Sequence, residues 1–317
     1  MGTAIVSIGL SLDGREVLSR VILAIAVAIW ATLAGLLPLR AARDRTRFRT
    51  DVRTPGALTA PVATAVLGTR LTLLGWAWAG IAMLIIAFAL WVLLLRPVLA
   101  GWKSPTVGSS LLLAVSAESL AVLSATLATR ENARWLLIAA LALFALGLVF
   151  YLFVICRFDF RQLAVGRGDH WITGGAIGIA ALAAARIAAA ASALGILGGG
   201  GGALKDIAIG LWVLTMLWLL VLLVVETRWP RLEYDARRWS TVFPLGMYAA
   251  CSFAVGVVAH ADAIVSFARV SVWIGLASWA IVSAATIRRE ADVVRGPRPP
   301  SSSSGVRPRT LNDPRPR

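Results

Sequence analysis

Charged residues are scarce in this sequence of 317 residues. Only 15% of them are charged and 59% are apolar, whereas a soluble domain carries about 25% charged residues. The mean hydropathy is +0.80. A soluble core of this size cannot hide so much apolar surface. The composition therefore excludes an ordinary soluble domain and predicts a membrane protein.

Cysteine and histidine are almost absent, and the motifs of common enzymes are missing. The two cysteines, Cys156 and Cys251, lie in apolar segments, so no disulfide framework is indicated. Two histidines are too few for a membrane cytochrome with two bis-histidine haems. The sequence has no H-E-x-x-H, no G-x-x-x-x-G-K-[ST] phosphate loop and no G-x-S-x-G elbow. We therefore predict no cofactor, no metal site and no enzymatic activity.

Long apolar segments separated by short polar breaks predict an all-α polytopic membrane protein with about ten transmembrane helices. A helix needs about 20 residues to cross the hydrocarbon, and most of the segments are long enough. The first spans only about 15 Å, so either this helix is short or its upstream half is missing. The third is doubtful because it contains Pro61. The segments are roughly 1–10, 16–39, 57–73, 76–98, 107–128, 134–156, 171–194, 204–226, 239–259 and 264–287.

Positive charge predicts the orientation. The net charge is +15, but the arginines lie in loops and in the tail between apolar runs, so we exclude nucleic acid as a partner. The loop 40–53 carries six arginines and the tail from Arg288 carries eight. Both are expected in the cytoplasm, which requires an even number of helices between them and keeps the third segment. We predict a multi-pass inner (plasma) membrane protein with both termini cytoplasmic, Arg70 in an outer loop and Arg186 as the only basic residue within a span.

The chain divides into a transmembrane domain at 1–290 and a tail at 291–317. Proline, serine and arginine dominate the tail and cannot build a core, so we predict a disordered basic cytoplasmic segment. Its charge could rest on anionic lipid headgroups of the bilayer. The alternative is a solvated tail with no further role.

Bulky and small segments alternate along the chain. The fourth and eighth contain LIIAFALWVLLL and WVLTMLWLLVLLVV, whereas the fifth, seventh and ninth are rich in serine, glycine and alanine. Bulky aliphatic helices suit lipid, and small residues suit close helix packing or a polar cavity. The pattern predicts five hairpins, each with one inner and one outer helix.

Two charged residues lie within the predicted inner helices. Glu118, beside Ser119 in the fifth segment, should face an interior cavity, because a carboxylate at that depth costs a few kcal/mol. It is either a proton or selectivity site or a protonated acid that only bonds a neighbouring helix. Arg186 in the seventh segment either pairs with Glu118, offers positive charge to an anion, or reaches the outer interface.

Other candidates lie at kinks and helix starts. Pro61 and Pro244 remove backbone donors and kink their helices, either to open a pore or only for packing. Phe243, beside Pro244, could plug a narrow pore, although simple packing is the alternative. Gly174 and Gly175 are further pore-lining candidates in the seventh segment. Asp169 and His170 precede that segment, where capping of the helix is favoured over a proton relay.

Several stretches resemble the tellurite-resistance/dicarboxylate transporter family, which includes plant guard-cell slow anion channels and fungal malate and sulfite transporters. They occur in family order and cover the chain from 1 to about 287. Glu118 stands where the dicarboxylate branch is expected to carry glutamine, which leaves the substrate and proton coupling open. The stretches are MGTAIVSIGL at 1–10, AVLGTRLTLLGW at 65–76, SAESLAVLSATLA at 116–128, GDHWITGGAIGIAAL at 168–182 and RRWSTVFPLGMYAA at 237–250.

The resemblance implies ten helices in five hairpins, a pore lined by the inner helices, a homotrimer with one pore in each subunit, and Phe243 as the pore-occluding aromatic. The leading functional hypothesis is secondary transport of small anions, with C4-dicarboxylates such as malate first. The alternative is a gated channel for inorganic anions such as chloride, nitrate or sulfite, or a tellurite-resistance protein. A non-transporting membrane scaffold or an intramembrane enzyme is the hypothesis of another class.

Overall fold

A computed structural model describes residues 1–165, 168–196, 200–229 and 238–295. Short 3₁₀ turns precede three of the helices, at Pro55–Leu58, Gly108–Leu111 and Asp169–Trp171. The helices within the described residues are α1 Gly2–Leu12, α2 Glu16–Arg43, α3 Arg45–Asp51, α4 Thr59–Leu73, α5 Ala77–Ala100, α6 Leu112–Glu131, α7 Arg134–Ile155, α8 Gln162–Val165, α9 Ile172–Ala193, α10 Gly200–Arg228, α11 Trp239–Ala259 and α12 Asp262–Arg295.

The predicted all-α polytopic class is confirmed. In the described part of the chain, eight helices are long and apolar enough to cross a membrane. The first and third predicted segments form the shorter apolar helices α1 and α4, of 11 and 15 residues, so the number of ten spans is approximate. Helix α12 continues to Arg295, beyond the predicted end at 287. The predicted tail from 296 onwards lies outside the described residues.

Burial separates the long helices into two shells, as the alternation of small and bulky segments predicts. Every residue from Leu112 to Ala128 of α6 is buried, and α1, α4, α9 and α11 are also buried along most of their length. Helix α2, in contrast, buries only four of its 28 residues, and α5, α7, α10 and α12 are similarly exposed. The exposed faces are apolar, as a lipid environment requires.

The five inner helices form a closed ring in the order α1, α4, α6, α9, α11, and each packs against its own outer helix. Glycines allow the backbones to approach at the seams of this ring. A Cβ on Gly246 of α11 would lie 2.6 Å from Ile5 Cγ2 of α1, and one on Gly68 of α4 would lie 2.9 Å from Leu123 Cδ2 of α6. Larger residues at these positions would separate the helices.

Tryptophans fasten the outer helices to the ring. Each outer helix also contacts the inner helix of the next hairpin. Among the described residues, four outer helices donate an indole N–H to a hydroxyl of that next inner helix. The bonds are Trp30 to Thr64 (2.9 Å), Trp91 to Ser116 (3.1 Å), Trp212 to Ser252 (2.8 Å) and Trp279 to Thr3 (3.1 Å). The last of these joins α12 to α1 and so connects the end of the chain to its beginning.

We expect Trp91→Phe to lower the free energy of unfolding by about 1–2 kcal/mol, because a buried hydrogen bond and part of a buried ring are lost. Trp78 lies on the same helix and is 74% exposed, so Trp78→Phe should cost less than about 0.5 kcal/mol. Equilibrium unfolding in detergent micelles measures both. Equal costs would show that the indole bond to Ser116 adds no stability.

Candidate functional site

Phe243 lies on α11, one of the five inner helices. Its side chain has no exposed surface, and it belongs to an apolar cluster with residues from all five inner helices. Pro244 follows it inside α11, where its missing N–H breaks the regular hydrogen-bond ladder. Phe253, ten residues later on the same helix, belongs to a different cluster, shared with α1, α2 and α12. The two phenylalanines of α11 therefore pack in different clusters, and the role of Phe243 as a gate stays a prediction.

Gly174 and Gly175 lie at helix seams. A Cβ on Gly175 would lie 2.9 Å from Pro244 Cγ of α11, and one on Gly174 would lie 3.0 Å from Trp218 Cδ1 of α10. Both glycines therefore serve close packing of α9 against its neighbours. Pro61 is the third residue of α4. The first four N–H groups of a helix have no partner within it, so Pro61 removes no hydrogen bond of α4. The prediction of a kink at Pro61 is therefore not supported.

Glu118 points toward the outer helix of its own hairpin. A Cβ on Gly147 of α7 would lie 2.5 Å from Glu118 Oε1 and 2.6 Å from its Cδ. The missing side chain of Gly147 thus makes the space that the carboxyl group occupies. Neither carboxyl oxygen has a hydrogen-bond partner among the described residues. This direction fits a buried acid between α6 and α7 better than a residue that lines the centre of the ring.

The alternative that Glu118 pairs with Arg186 is not realised. Among the described residues no ion pair joins them, and Arg186 Nε is itself buried without a partner. The two residues lie about 9 Å and about 21 Å into their parallel helices, and Glu118 points toward α7. The Ser119 hydroxyl bonds neither charged group and instead donates to the Val115 carbonyl of its own helix, 2.7 Å away.

Asp169 and His170 form the turn that precedes α9. Neither is the N-cap residue of the turn or of α9, and no N-cap side chain bonds the helix start. The Thr173 hydroxyl donates to the His170 carbonyl (2.6 Å). His170 is fully buried, and its Nε2 lies 3.9 Å from Glu226 of α10. Glu226 also accepts hydrogen bonds from Arg238 (3.1 Å) and from the indole of Trp171 (3.3 Å). The cluster joins the start of α9, the end of α10 and the start of α11, which makes it a link between two neighbouring hairpins.

Arg70 is a buried charge that the sequence analysis placed in an outer loop. It lies inside α4 and has no exposed surface. Its Nε donates to Ser19 Oγ (3.0 Å) and its Nη2 to Glu16 Oε1 (2.8 Å), both on α2. Ser19 Oγ in turn donates to the Ser7 carbonyl of α1 (2.6 Å). The arginine therefore joins the first two hairpins. The sequence carried one signal of this position, because Arg70 lies before the end of the predicted apolar segment 57–73.

The chain matches the family described as "Voltage-dependent anion channel" over residues 1–287. It belongs to the voltage-dependent anion channel family. The family is one of anion channels and transporters, not of enzymes. This agrees with the resemblance found in the sequence.

Two curated proteins of Mycobacterium tuberculosis, from strains CDC 1551 and H37Rv, are also similar to this family member. Each carries the description "uncharacterized membrane protein" and is 31% identical over 132 residues. The match covers 39% of this chain and 66% of each relative. These relatives support the membrane assignment and name no substrate.

Because the family moves anions, guanidinium groups in the inner helices are of direct interest. Arg70 Nη1 and Arg186 Nε are buried and have no hydrogen-bond partner among the described residues. An unpaired N–H of a charged group is costly to bury. Both atoms are therefore able to donate to an anion that reaches them.

We expect the two ends of the Glu16–Arg70 pair to respond unequally to mutation. Glu16→Ala leaves the fully buried Arg70 guanidinium without its carboxylate partner and should lower the free energy of unfolding by about 3 kcal/mol. Arg70→Met leaves a carboxylate that is 37% exposed and still bonded to Arg20 and Ser11, so it should cost about 1 kcal/mol. Unfolding in micelles measures both variants.

Arg20→Ala is the matched control for this pair. Arg20 bonds the same Glu16 oxygen, but its side chain is 64% exposed, so its removal should cost less than about 1 kcal/mol. Equal losses for Glu16→Ala and Arg20→Ala would contradict the assignment of Arg70 as the residue that depends on Glu16.

Proposed function

We propose that this protein conducts small anions through the ring of inner helices and that Phe243 closes the path. The observation that carries the proposal is the complete burial of Phe243 in the cluster shared by all five inner helices, directly before Pro244. A large aromatic ring at a helix kink can block a narrow pore by packing and by excluding water. The membership of an anion channel family supports the same reading.

The positive charges of arginine side chains support a preference for anions. The unpaired N–H groups of Arg70 and Arg186 offer donors within the inner helices. Arginines are concentrated at the end of α2 and towards the end of α12, and a positive field on that side of the protein would raise the local concentration of anions. We assign the arginine-rich loop 40–53 and the end of α12 to the cytoplasmic side of an inner membrane. A homotrimer with one path in each subunit is part of the proposal by resemblance.

A gated channel for inorganic anions such as chloride, nitrate or sulfite is our first candidate, because Glu118 points away from the ring. A secondary carrier for C4-dicarboxylates such as malate is the second candidate. It is favoured by one observation, which is that the buried Glu118 carboxyl has no hydrogen-bond partner among the described residues and could bind and release a proton. Tellurite-related oxyanions fall under the first candidate.

Phe243→Ala should raise the anion flux of proteoliposomes, because removal of the ring leaves the path open. We expect an increase of tenfold or more in chloride or nitrate flux, which corresponds to a free-energy barrier lower by about 1.4 kcal/mol. The matched control is Phe253→Ala. This residue is a buried phenylalanine of the same helix that packs outside the ring, so its loss should lower stability without raising flux.

Unchanged flux in a folded Phe243→Ala protein would remove the gate assignment. An equal increase in Phe253→Ala would show that α11 is merely loosened. Uptake of labelled malate, measured in the same vesicles, separates the two candidate substrates.

Glu118→Gln tests the carrier candidate. If the carboxyl binds the coupled proton, malate uptake should lose its dependence on an imposed pH gradient while the size of the side chain is kept. Gly147→Ala should also disturb this dependence, because the new Cβ would occupy the place of Glu118 Oε1. Gly210→Ala, on the outer helix α10 with nothing within 4 Å of its Cβ position, is the control and should match the parent. A parental pH profile for Glu118→Gln would exclude the coupling role.

A further inference from the structure

A cavity of about 820 Å³ lies where α2 ends, between the short helix α3 and the outer helix α5. It is separate from the ring of inner helices, since most of its lining comes from the two outer helices and the segment that joins α2 to α4. One side is apolar and the other is basic. The proposed conduction path does not pass through this cavity.

The apolar side is formed by leucines of the two outer helices. Leu37 of α2 and Leu90, Leu93 and Leu94 of α5 line it. Leu93 is 70% exposed and Leu37 is 45% exposed, so this side continues into the surface that faces the hydrocarbon. An acyl chain lying on the outer face of the protein can therefore enter the cavity without crossing polar surface.

The basic side is formed by three arginines at the end of the span. Arg40 and Arg43 lie in the last turn of α2, and Arg47 lies in α3. In the part of the chain that the structure describes, none of the three guanidinium groups has a hydrogen-bond or ion-pair partner. Asp44 and Asp51 also line the cavity, which leaves the three arginines with one positive charge in excess. One Asp44 oxygen accepts the Arg47 backbone N–H at 2.9 Å and so caps α3.

The charge of the surroundings selects the occupant. The segment 40–53 holds six arginines and two aspartates, so it attracts an anion. The chain's own end cannot serve, because residues 296–317 carry five arginines and one aspartate. A small free anion would satisfy the arginines but would leave the leucine wall unused. An amphiphile with an anionic head and a hydrocarbon tail uses both sides.

We propose that this cavity is a binding site for an anionic phospholipid, whose phosphate is held by Arg40, Arg43 and Arg47 and whose acyl chain lies along Leu37 and Leu93. Arginine binds phosphate through paired N–H donors. Each basic residue near an anionic headgroup contributes about 1 kcal/mol. Because the cavity lies between α3 and α5, an occupied site ties the arginine-rich segment to the outer helix next to it.

Binding of labelled phosphatidylglycerol to the purified full chain in detergent micelles tests this site. Phosphatidylglycerol should bind at least tenfold more tightly than phosphatidylcholine. The triple change Arg40→Ala, Arg43→Ala, Arg47→Ala should weaken it on the order of 100-fold. The matched triple is Arg45→Ala, Arg49→Ala, Arg53→Ala, which removes the same charge from the same segment but not from the cavity. It should weaken binding less than about fivefold.

Four results would overturn the proposal. Equal weakening by the two triple variants would indicate a general attraction to the basic segment. Equal binding of phosphatidylcholine would exclude recognition of the anionic head. Displacement by inorganic phosphate at matching concentration would identify a free-anion site. Loss of the oligomer in the cavity triple, seen by light scattering, with unchanged lipid binding would assign this face to a second copy of the chain. All six arginines are exposed, so both variants are expected to fold.

Discussion

Close approach of the five inner helices is the constraint on which the rest of the structure depends. Lipid offers no hydrophobic drive for helices to associate, so contact must come from packing and from hydrogen bonds between helices. Gly68, Gly175 and Gly246 each leave space for a side chain of the neighbouring inner helix. Since the ring closes on itself, a loss of contact at one seam affects the positions of both neighbours. The outer helices then have a fixed surface on which to pack.

The polar groups of the protein are arranged to hold this ring together. Indole N–H groups of outer helices bond hydroxyls of the next inner helix, and Arg70 and Glu226 each join neighbouring hairpins. A hydroxyl or guanidinium group in a span is costly unless it finds a partner. Polar residues placed between hairpins meet that cost and specify which hairpins are adjacent. Glu118 and Arg186 are different, because their unpaired atoms add cost without joining helices, and this is why they remain candidates for function.

The sequence predicted the two shells well and the directions of individual side chains poorly. Shell assignment depends on average composition, and an average over a long helix tolerates small errors in its ends. Direction depends on rotation about the helix axis, which changes by about 100° for each residue. Glu118 was expected to face a central cavity, but it points toward Gly147 on α7. Arg70 and Pro61 were misjudged for another reason. The predicted segment 57–73 and helix α4, Thr59–Leu73, end at the same residue, but the count of positive charges placed Arg70 outside the span. The start of α4 at Thr59 puts Pro61 in the first turn, where a proline removes no hydrogen bond within the helix.

The interlocked ring bears on how an anion would pass. A carrier that alternates its access rocks one group of helices against another, and in this fold such a movement crosses at least two seams of the inner ring. Three of the five seams hold a glycine contact among the described residues, and at every seam an outer helix packs on the next inner helix, so such a movement would disturb these contacts. Rotation of the Phe243 side chain beside Pro244 would disturb neither. The cost of breaking the seams therefore favours movement of a side chain at Phe243 over movement of whole hairpins, and it favours the channel candidate over the carrier.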